Sequence, residues 1–278
     1  MKRKTISKNI KYMGIGLHKG EDIILKLKPA ESGDGITFKR MDLEEGKNII
    51  KMQNNNVFEL TRGTNLRNEF GAPIYTIEHF LSALYMLGIT DLFIEIDGNE
   101  LPIIDGSAHK FLELMEENIV ELEDEVEELV ITEPIYVSKG DKYVIGLPYD
   151  GYKITYAINF NHSFLKSQLL EMEITYENYK EEIAKARTFC FDYELDYLKA
   201  NNLALGGSLD NAIVITKDKV LNPGGLRYED EFVRHKMLDI IGDLKVLNKP
   251  IKEHLIAVKA GHAINNEFAK ELEKHNKV

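Results

Sequence analysis

The sequence has one cysteine, Cys190, so no internal disulfide can form, which points to a reducing, cytoplasmic setting. No apolar run approaches the ~20 residues needed to span a bilayer, so no transmembrane segment is expected. Low-complexity tracts and collagen-like or proline-rich bias are missing as well. The opening stretch, MKRKTISKNIKYMGIGLH, is basic but lacks the continuous apolar core of a secretory signal. Positive charge is in deficit: 35 Lys and Arg stand against 46 Asp and Glu, a formal net charge of −11. That argues against nucleic acid as a partner, because phosphate neutralisation needs a basic surface. It leaves room for a phosphorylated small molecule held by a local lysine cluster. The remaining class is a soluble globular protein of 278 residues, 44% hydrophobic and 29% charged, long enough for one large domain or two smaller ones.

Residues 1–58 read as β-hairpins, with an alternating strand at Ile23–Leu27 and a turn at Ser32–Gly35. TIEHFLSALYMLGI reads as a helix with Thr76 as N-cap and Gly88 at C′. DLFIEID follows as a strand, and Ser107 is placed to cap the helix AHKFLELMEE. The acidic run VELEDEVEEL reads as a solvated helix end or linker and places a domain boundary there, giving domains 1–125 and 126–278. The second half again opens with strands, ELVITEPIYV, KYVIGLP and KITYAINF. A helix over 176–185, a mixed segment 190–217, the helix DEFVRHKMLDIIGDLKVL, the strand HLIAVKA and a helix from about Asn266 follow. The order helix–strand–helix occurs in both halves, and each first helix carries a histidine, His79 or His235. This repeat of pattern predicts two similar α+β layers with polar groups meeting between them.

Four histidines, His18, His109, His254 and His275, lie in no chemical constellation and are expected to be surface or structural. The helix over 231–247 is more informative. At about 100° per residue, Val233, Met237, Ile240, Ile241 and Leu244 share one face, and His235, Asp239 and Asp243 share the opposite one. His235 and Asp239, at i and i+4, are neighbours and can bind one metal ion. An ordinary solvent-facing helix has the same pattern. Glu78 and His79 fall in the first turn of their helix, where a glutamate is also favoured by the helix dipole alone. Functionally, His79 binds metal while Glu78 handles a proton, because a base that also ligates the ion has its lone pair occupied. His262 sits at a strand-to-helix corner, suited to catalysis or to a bond with the loop backbone. Two histidines and one aspartate would leave a tetrahedral Zn²⁺ one open position, the pattern of a catalytic site. Glu78 and His262 remain as acid and base.

The motifs GIGLHKG, TIEHFLSAL, PIIDGSA, FNH, ARTFCF, LGGSLDNAIV, LRYEDEFVRHKMLDIIGDL and KAGHAINN cover nearly the whole chain. In these stretches, and in their order, the sequence resembles the UDP-3-O-acyl-N-acetylglucosamine deacetylases, the zinc amidases of lipid A biosynthesis. The resemblance implies an α+β fold of two similar domains, stacked as a four-layer sheet–helix–helix–sheet sandwich with the active site between them. It implies one Zn²⁺, with Fe²⁺ as an alternative, held by His79, His235 and Asp239. Glu78 is then the general base, and His262 the charged group that stabilises the oxyanion. Asp243 orients His262, and Thr188 donates to the tetrahedral intermediate. On the substrate side it implies Phe189 and Lys236 at the sugar, Phe160 and His162 near the nucleotide, and Lys142 and Lys259 at the diphosphate. Segment 190–217 corresponds to a βαβ insert forming an acyl tunnel, with Leu195, Leu198, Leu203 and Leu205 as its liners. A monomer is implied, and no fused dehydratase is expected after residue 278. Two departures stand out: Cys190 where glycine is common, and Gly63 where many members carry cysteine.

The expected reaction is hydrolysis of the 2-acetamido group of UDP-3-O-[(3R)-3-hydroxyacyl]-N-acetylglucosamine to acetate and a free amine, with either Glu78 or His262 protonating that amine. Two alternatives stand beside it: a zinc hydrolase of another N-acyl sugar, and a non-catalytic nucleotide-sugar binding module.

Overall fold

Alternation along the strands dictates two one-sided sheets. In Asp22–Lys28, Ile23, Leu25 and Leu27 are buried, and in Tyr152–Asn159, Tyr156 and its neighbours at even positions are buried while the intervening residues are wetter. The computed structural model describes residues 1–275. In the first sheet the strands lie in the order Ile10–Ile15, Asp22–Lys28, Leu92–Ile96, Ile36–Arg40, Ile49–Lys51. Only Leu92–Ile96 and Ile36–Arg40 run parallel; the other neighbours are antiparallel. The second sheet has the order Ile135–Lys139, Lys142–Leu147, Ile251–Val258, Tyr152–Asn159, Ser167–Glu173, again with a parallel pair at the equivalent place, and the short strand Leu129–Val130 adds a second parallel pairing to Ile251–Val258. The repeat of pattern in the sequence is therefore a repeat of strand order and direction.

Among the described residues six α-helices accompany these sheets: α1 Glu78–Met86, α2 His109–Met115, α3 Tyr176–Glu182, α4 Leu195–Ala200, α5 Glu231–Leu244 and α6 His262–His275. α1 packs on α5, and α5 on α6, while α6 also lies on the strands Ile135–Lys139 and Lys142–Leu147. The result is an α+β sandwich with helices between the sheets. α1 and α5 approach closely because Gly242 has no side chain; a Cβ there would collide with the Glu78 carbonyl. The contact puts the first turn of α1 beside the middle of α5. Between the strands Phe189–Phe191 and Ile213–Ile215, which pair in parallel, runs α4.

Several local expectations need correction. Thr76 is not the N-cap of α1: its φ is 57°, and its hydroxyl donates to Glu100 instead. Ile77 takes the cap position without a side-chain bond. Gly88 does occupy C′, with φ 68°. The Ser107 hydroxyl accepts the His109 amide, one residue further out than a standard cap. The acidic run is neither helix end nor linker in its first part. Ile119–Glu125 is a strand paired antiparallel with Lys2–Ile6, in a register that sets Lys2 against Glu125 and Lys4 against Glu121. Opposite charges facing across the pair favour it. α6 starts at His262 rather than at Asn266.

One buried group has a consequence for stability. Glu253 is fully buried, neither carboxylate oxygen has a hydrogen-bond partner among the described residues, and burial pushes its pKa from 4.5 up to about 8. The folded chain thus keeps a proton that the unfolded chain releases. Stability contributed by that proton is present below about pH 4.5 and is lost as pH rises to about 8. Glu253→Gln removes this dependence. Urea denaturation at pH 5 and pH 8 is expected to show the variant gaining on the parent at the higher pH, by roughly a few kcal/mol.

Candidate active site

Three helices converge on one point. α1 brings Glu78 and His79, α5 brings His235, Asp239 and Asp243, and α6 brings His262 at its first residue. The polar stripe of α5 does not face solvent: His235, Asp239 and Asp243 are all buried, as are Glu78 and His79. One face of α5 meets its own sheet and the other meets α1 and α6, so both faces are covered.

His79, His235 and Asp239 each offer a ligand atom, and these atoms lie within 4.8 Å of one another. His79 Nε2 is 3.6 Å and His235 Nε2 is 3.4 Å from Asp239 Oδ1. Tetrahedral ligands at about 2.0–2.1 Å from a metal lie roughly 3.3–3.4 Å apart, so the set fits a single cation. The chemistry of the donors fits as well. Asp239 Oδ1 is buried with no hydrogen-bond partner among the described residues, whereas Oδ2 accepts from Lys236 Nζ at 2.7 Å. A buried carboxylate oxygen left unpaired is costly unless something positive sits on it. Burial holds His235 neutral, lowering its pKa to about 3, and lowers that of His79 too, which leaves imidazole lone pairs free to ligate. His235 Nδ1 lies 3.1 Å from the Ala186 carbonyl, which aims Nε2 at the cluster. Burial opposes ionisation of Asp239, but the positive charges of Lys236 and His262 outweigh it and hold the carboxyl well below its usual range.

Glu78 and His262 stand next to this cluster in opposite electrostatic conditions. Burial raises Glu78 from 4.5 to about 7. Burial alone would lower His262, but the adjacent Asp243 carboxylate overrides it and raises the imidazolium to about 9. His262 Nδ1 lies 2.9 Å from Asp243 Oδ2, so Nε2 is the ring nitrogen left for the cleft. One carboxyl poised near neutrality and one imidazole kept charged are suited to a base and an acid.

All of these groups except Asp243 line a cleft of about 1060 Å³. Residues 3–274 of the chain match the family model for UDP-3-O-acyl N-acetylglycosamine deacetylase. The chain belongs to this family. A UDP-3-O-acyl-N-acetylglucosamine deacetylase of Idiomarina loihiensis is 41% identical over 275 residues, covering 98% of this chain and 90% of that protein. One from Shewanella violacea is 44% identical over 273 residues, covering 97% and 89%. The UDP-3-O-acyl N-acetylglycosamine deacetylases are metal-dependent, in keeping with the donor set just described.

The other residues expected from the deacetylase resemblance fall out as follows. Thr188, Phe189, Phe160, Lys142, Lys236 and Lys259 line the cleft, as do Leu195, Leu198 and Leu203. Leu205 does not: its side chain is half exposed and its amide is bound to the His18 carbonyl, so it leaves the set of tunnel liners. His162 is also outside the lining; its ring packs on Phe191 at 4.7 Å and its Nδ1 accepts the Phe164 and Leu165 amides. Asp243 lies behind His262. His109 pairs with Glu113, His254 with Thr155 and His275 with the Glu271 carbonyl, whereas His18, expected to be structural, faces the cleft. Thr64 and Asn265, both bonded to Asp243, carry no signal in the residue order, because neither lies at a helical spacing from it.

Proposed function

We propose that the chain hydrolyses the N-acetyl group of UDP-3-O-[(3R)-3-hydroxyacyl]-N-acetylglucosamine, releasing acetate and the free amine, as a step of lipid A biosynthesis. The observation that carries this reading is the cluster His79, His235 and Asp239, set beside a carboxyl tuned near pH 7 and a charged imidazole. The metal is proposed to be one Zn²⁺, which two imidazoles and a carboxylate suit, with Fe²⁺ competing by availability. When bound, it supplies Lewis acidity toward the acetyl carbonyl and toward water.

The chain's own residues do the rest. Glu78 takes a proton from the attacking water; its Oε2 is held by the Thr64 amide at 2.8 Å, which leaves Oε1 for that proton. The water oxygen bonds to the acetyl carbon, and the C–N bond breaks as the nitrogen takes up a proton, leaving acetate and the free amine. Protonated His262 and the Thr188 hydroxyl stabilise the negative charge that develops on the carbonyl oxygen, a term worth several kcal/mol of barrier. His262 also gives the leaving nitrogen its proton, and Asp243 holds it in position to do so. Lys236 and Phe189 hold the sugar, with Lys236 Nζ 5.6 Å above the Phe189 ring. Lys142 and Lys259 face the diphosphate and Phe160 the nucleotide, while His162, packed on Phe191 outside the cleft lining, makes no nucleotide contact in this reading; the acyl chain runs along Leu195, Leu198 and Leu203.

The division into domains 1–125 and 126–278, a monomeric state and a cytoplasmic location belong to the same proposal. Among the described residues no helix is long and apolar enough to cross a membrane.

Acetate release from the 3-O-acylated sugar, measured beside UDP-N-acetylglucosamine, tests the substrate. Each buried methylene contributes about 0.8 kcal/mol, so a chain burying four or more gives kcat/KM at least ~10²-fold higher for the acylated compound. Equal rates would favour a hydrolase of some other N-acyl sugar. Binding without any acetate release by metal-loaded protein would favour a binding module.

A further inference from the structure

Thr64 is buried in the loop before the strand Asn65–Arg67, in the N-terminal half, and makes contacts to three places at once. Its amide donates to Glu78 Oε2 at 2.8 Å. Its hydroxyl donates to Asp243 Oδ1 on α5 at 2.5 Å. Its carbonyl accepts the Ile77 amide at the entrance to α1, 3.1 Å away. Its neighbour Gly63 lies against the same glutamate: a Cβ there would come within 3.0 Å of Oε1 and 3.2 Å of Oε2. Residues 63 and 64 therefore cradle the Glu78 carboxylate on one side and reach across to Asp243 on the other.

The bonding of Asp243 explains why that reach matters. Its Oδ2 accepts from His262 Nδ1 at 2.9 Å and from Asn265 Nδ2 at 2.7 Å. The approach of His262 Nδ1 to Oδ1 is longer, at 3.1 Å, so the Thr64 hydroxyl is the short bond on that oxygen. Without it, a buried carboxylate oxygen loses its best donor, and the carboxylate is free to turn about its Cβ–Cγ bond. Two carboxylates stand near one imidazolium here. A loosened Glu78 or Asp243 can settle into a different pairing with His262, and either change misaligns the base or the acid.

We propose that Thr64 is a positioning residue for the deacetylation step: with one amide and one hydroxyl it keeps the Glu78 and Asp243 carboxylates apart and aimed, so that base and acid work as a fixed pair. This rests on the roles given to Glu78, Asp243 and His262 in the proposed function. Thr64 touches neither substrate nor metal; it acts through the two carboxylates.

Thr64→Val keeps the shape and the amide bond to Glu78 and removes only the hydroxyl. Thr64→Ser keeps the hydroxyl and removes only the methyl group. The measurements are acetate release from the 3-O-acylated UDP-sugar, bound metal and melting temperature, on both variants, on Asp243→Ala and on the Thr64→Val/Asp243→Ala double variant. Thr64→Val is expected to lose about 10- to 100-fold in kcat, with KM within about threefold and metal content at the parental level. Thr64→Ser is expected within about threefold of the parent, and in the Asp243→Ala background Thr64→Val adds less than about threefold, because its partner is already gone. Thr64→Ala replaces the valine variant if the latter does not fold. The proposal is overturned if Thr64→Val turns over at the parental rate, if Thr64→Ser is as slow as Thr64→Val, or if the two losses multiply in the double variant. Asp243→Ala separates the two levels. A slow Asp243→Ala beside a fully active Thr64→Val removes Thr64 alone, whereas a fully active Asp243→Ala removes the role of Asp243 and Thr64 with it.

Discussion

Glu78→Ala is expected to bind its metal as the parent does and to turn over about 10²–10⁴-fold more slowly. The two halves of that expectation come from different parts of the structure. Glu78 is not one of the three converging ligands, so removing it leaves His79, His235 and Asp239 in place. Its carboxyl nevertheless lines the same cleft and is tuned by burial to about 7, where it can take a proton near neutral pH and give it up again. Metal analysis and acetate release on the same preparation check both halves. A variant with a full complement of metal and the parental rate would remove Glu78 from the chemistry.

His262→Gln is expected to lose about 10²–10³-fold in kcat and also to change the shape of the pH profile. In the parent, burial works against the charge on His262 and the Asp243 carboxylate works for it, leaving the pKa at about 9. The sign follows directly. The imidazolium is present below that value and lost above it, so parental turnover is expected to fall as pH rises through about 9. Glutamine has no proton to lose in that range. The variant is therefore expected to be slow throughout, and its residual activity should lack the fall near pH 9. A parental alkaline limb in the variant would assign that limb to a different group.

Much of this site could be read from residue order. The spacing of His235, Asp239 and Asp243 puts three polar side chains on one stripe of a helix, and Glu78–His79 opens another helix with a carboxylate beside an imidazole. What the spacing left open was which way the stripe faces. An amphipathic helix on a surface and a helix wedged between two layers have the same period, and only tertiary packing separates them. The absence of a side chain at Gly242 lets α1 come close enough to cover the stripe, a relation between residues 164 positions apart in the chain. Thr64 was invisible for the same reason: its partners, Glu78 and Asp243, lie on two different helices and at no repeating interval from it.

Other misreadings have local causes. The acidic run looked like a solvated linker because charge density was weighed without its partner, yet the basic strand Lys2–Ile6 lies across from it. Thr76 looked like a cap by residue type, but Glu100 and Asn65 bind its hydroxyl and amide and hold it at a positive φ, outside the geometry a cap requires. The resemblance of segment 190–217 to an acyl-tunnel insert places Leu205 with the tunnel leucines but does not say which of them face inward. Backbone bonds from residues 205 and 206 to the carbonyls of His18 and Leu17 fix that stretch against the N-terminal half, and Leu205 is half exposed and does not line the cleft.

Removing and restoring the metal tests the central claim most directly. The chain is stripped with a chelator, and Zn²⁺ is added back while bound metal and acetate release are followed together. The expected result is a silent stripped protein that regains full turnover at one equivalent per chain, with His79→Ala, His235→Ala and Asp239→Ala each failing to retain that equivalent. A stripped chain that still releases acetate at the parental rate would contradict the account.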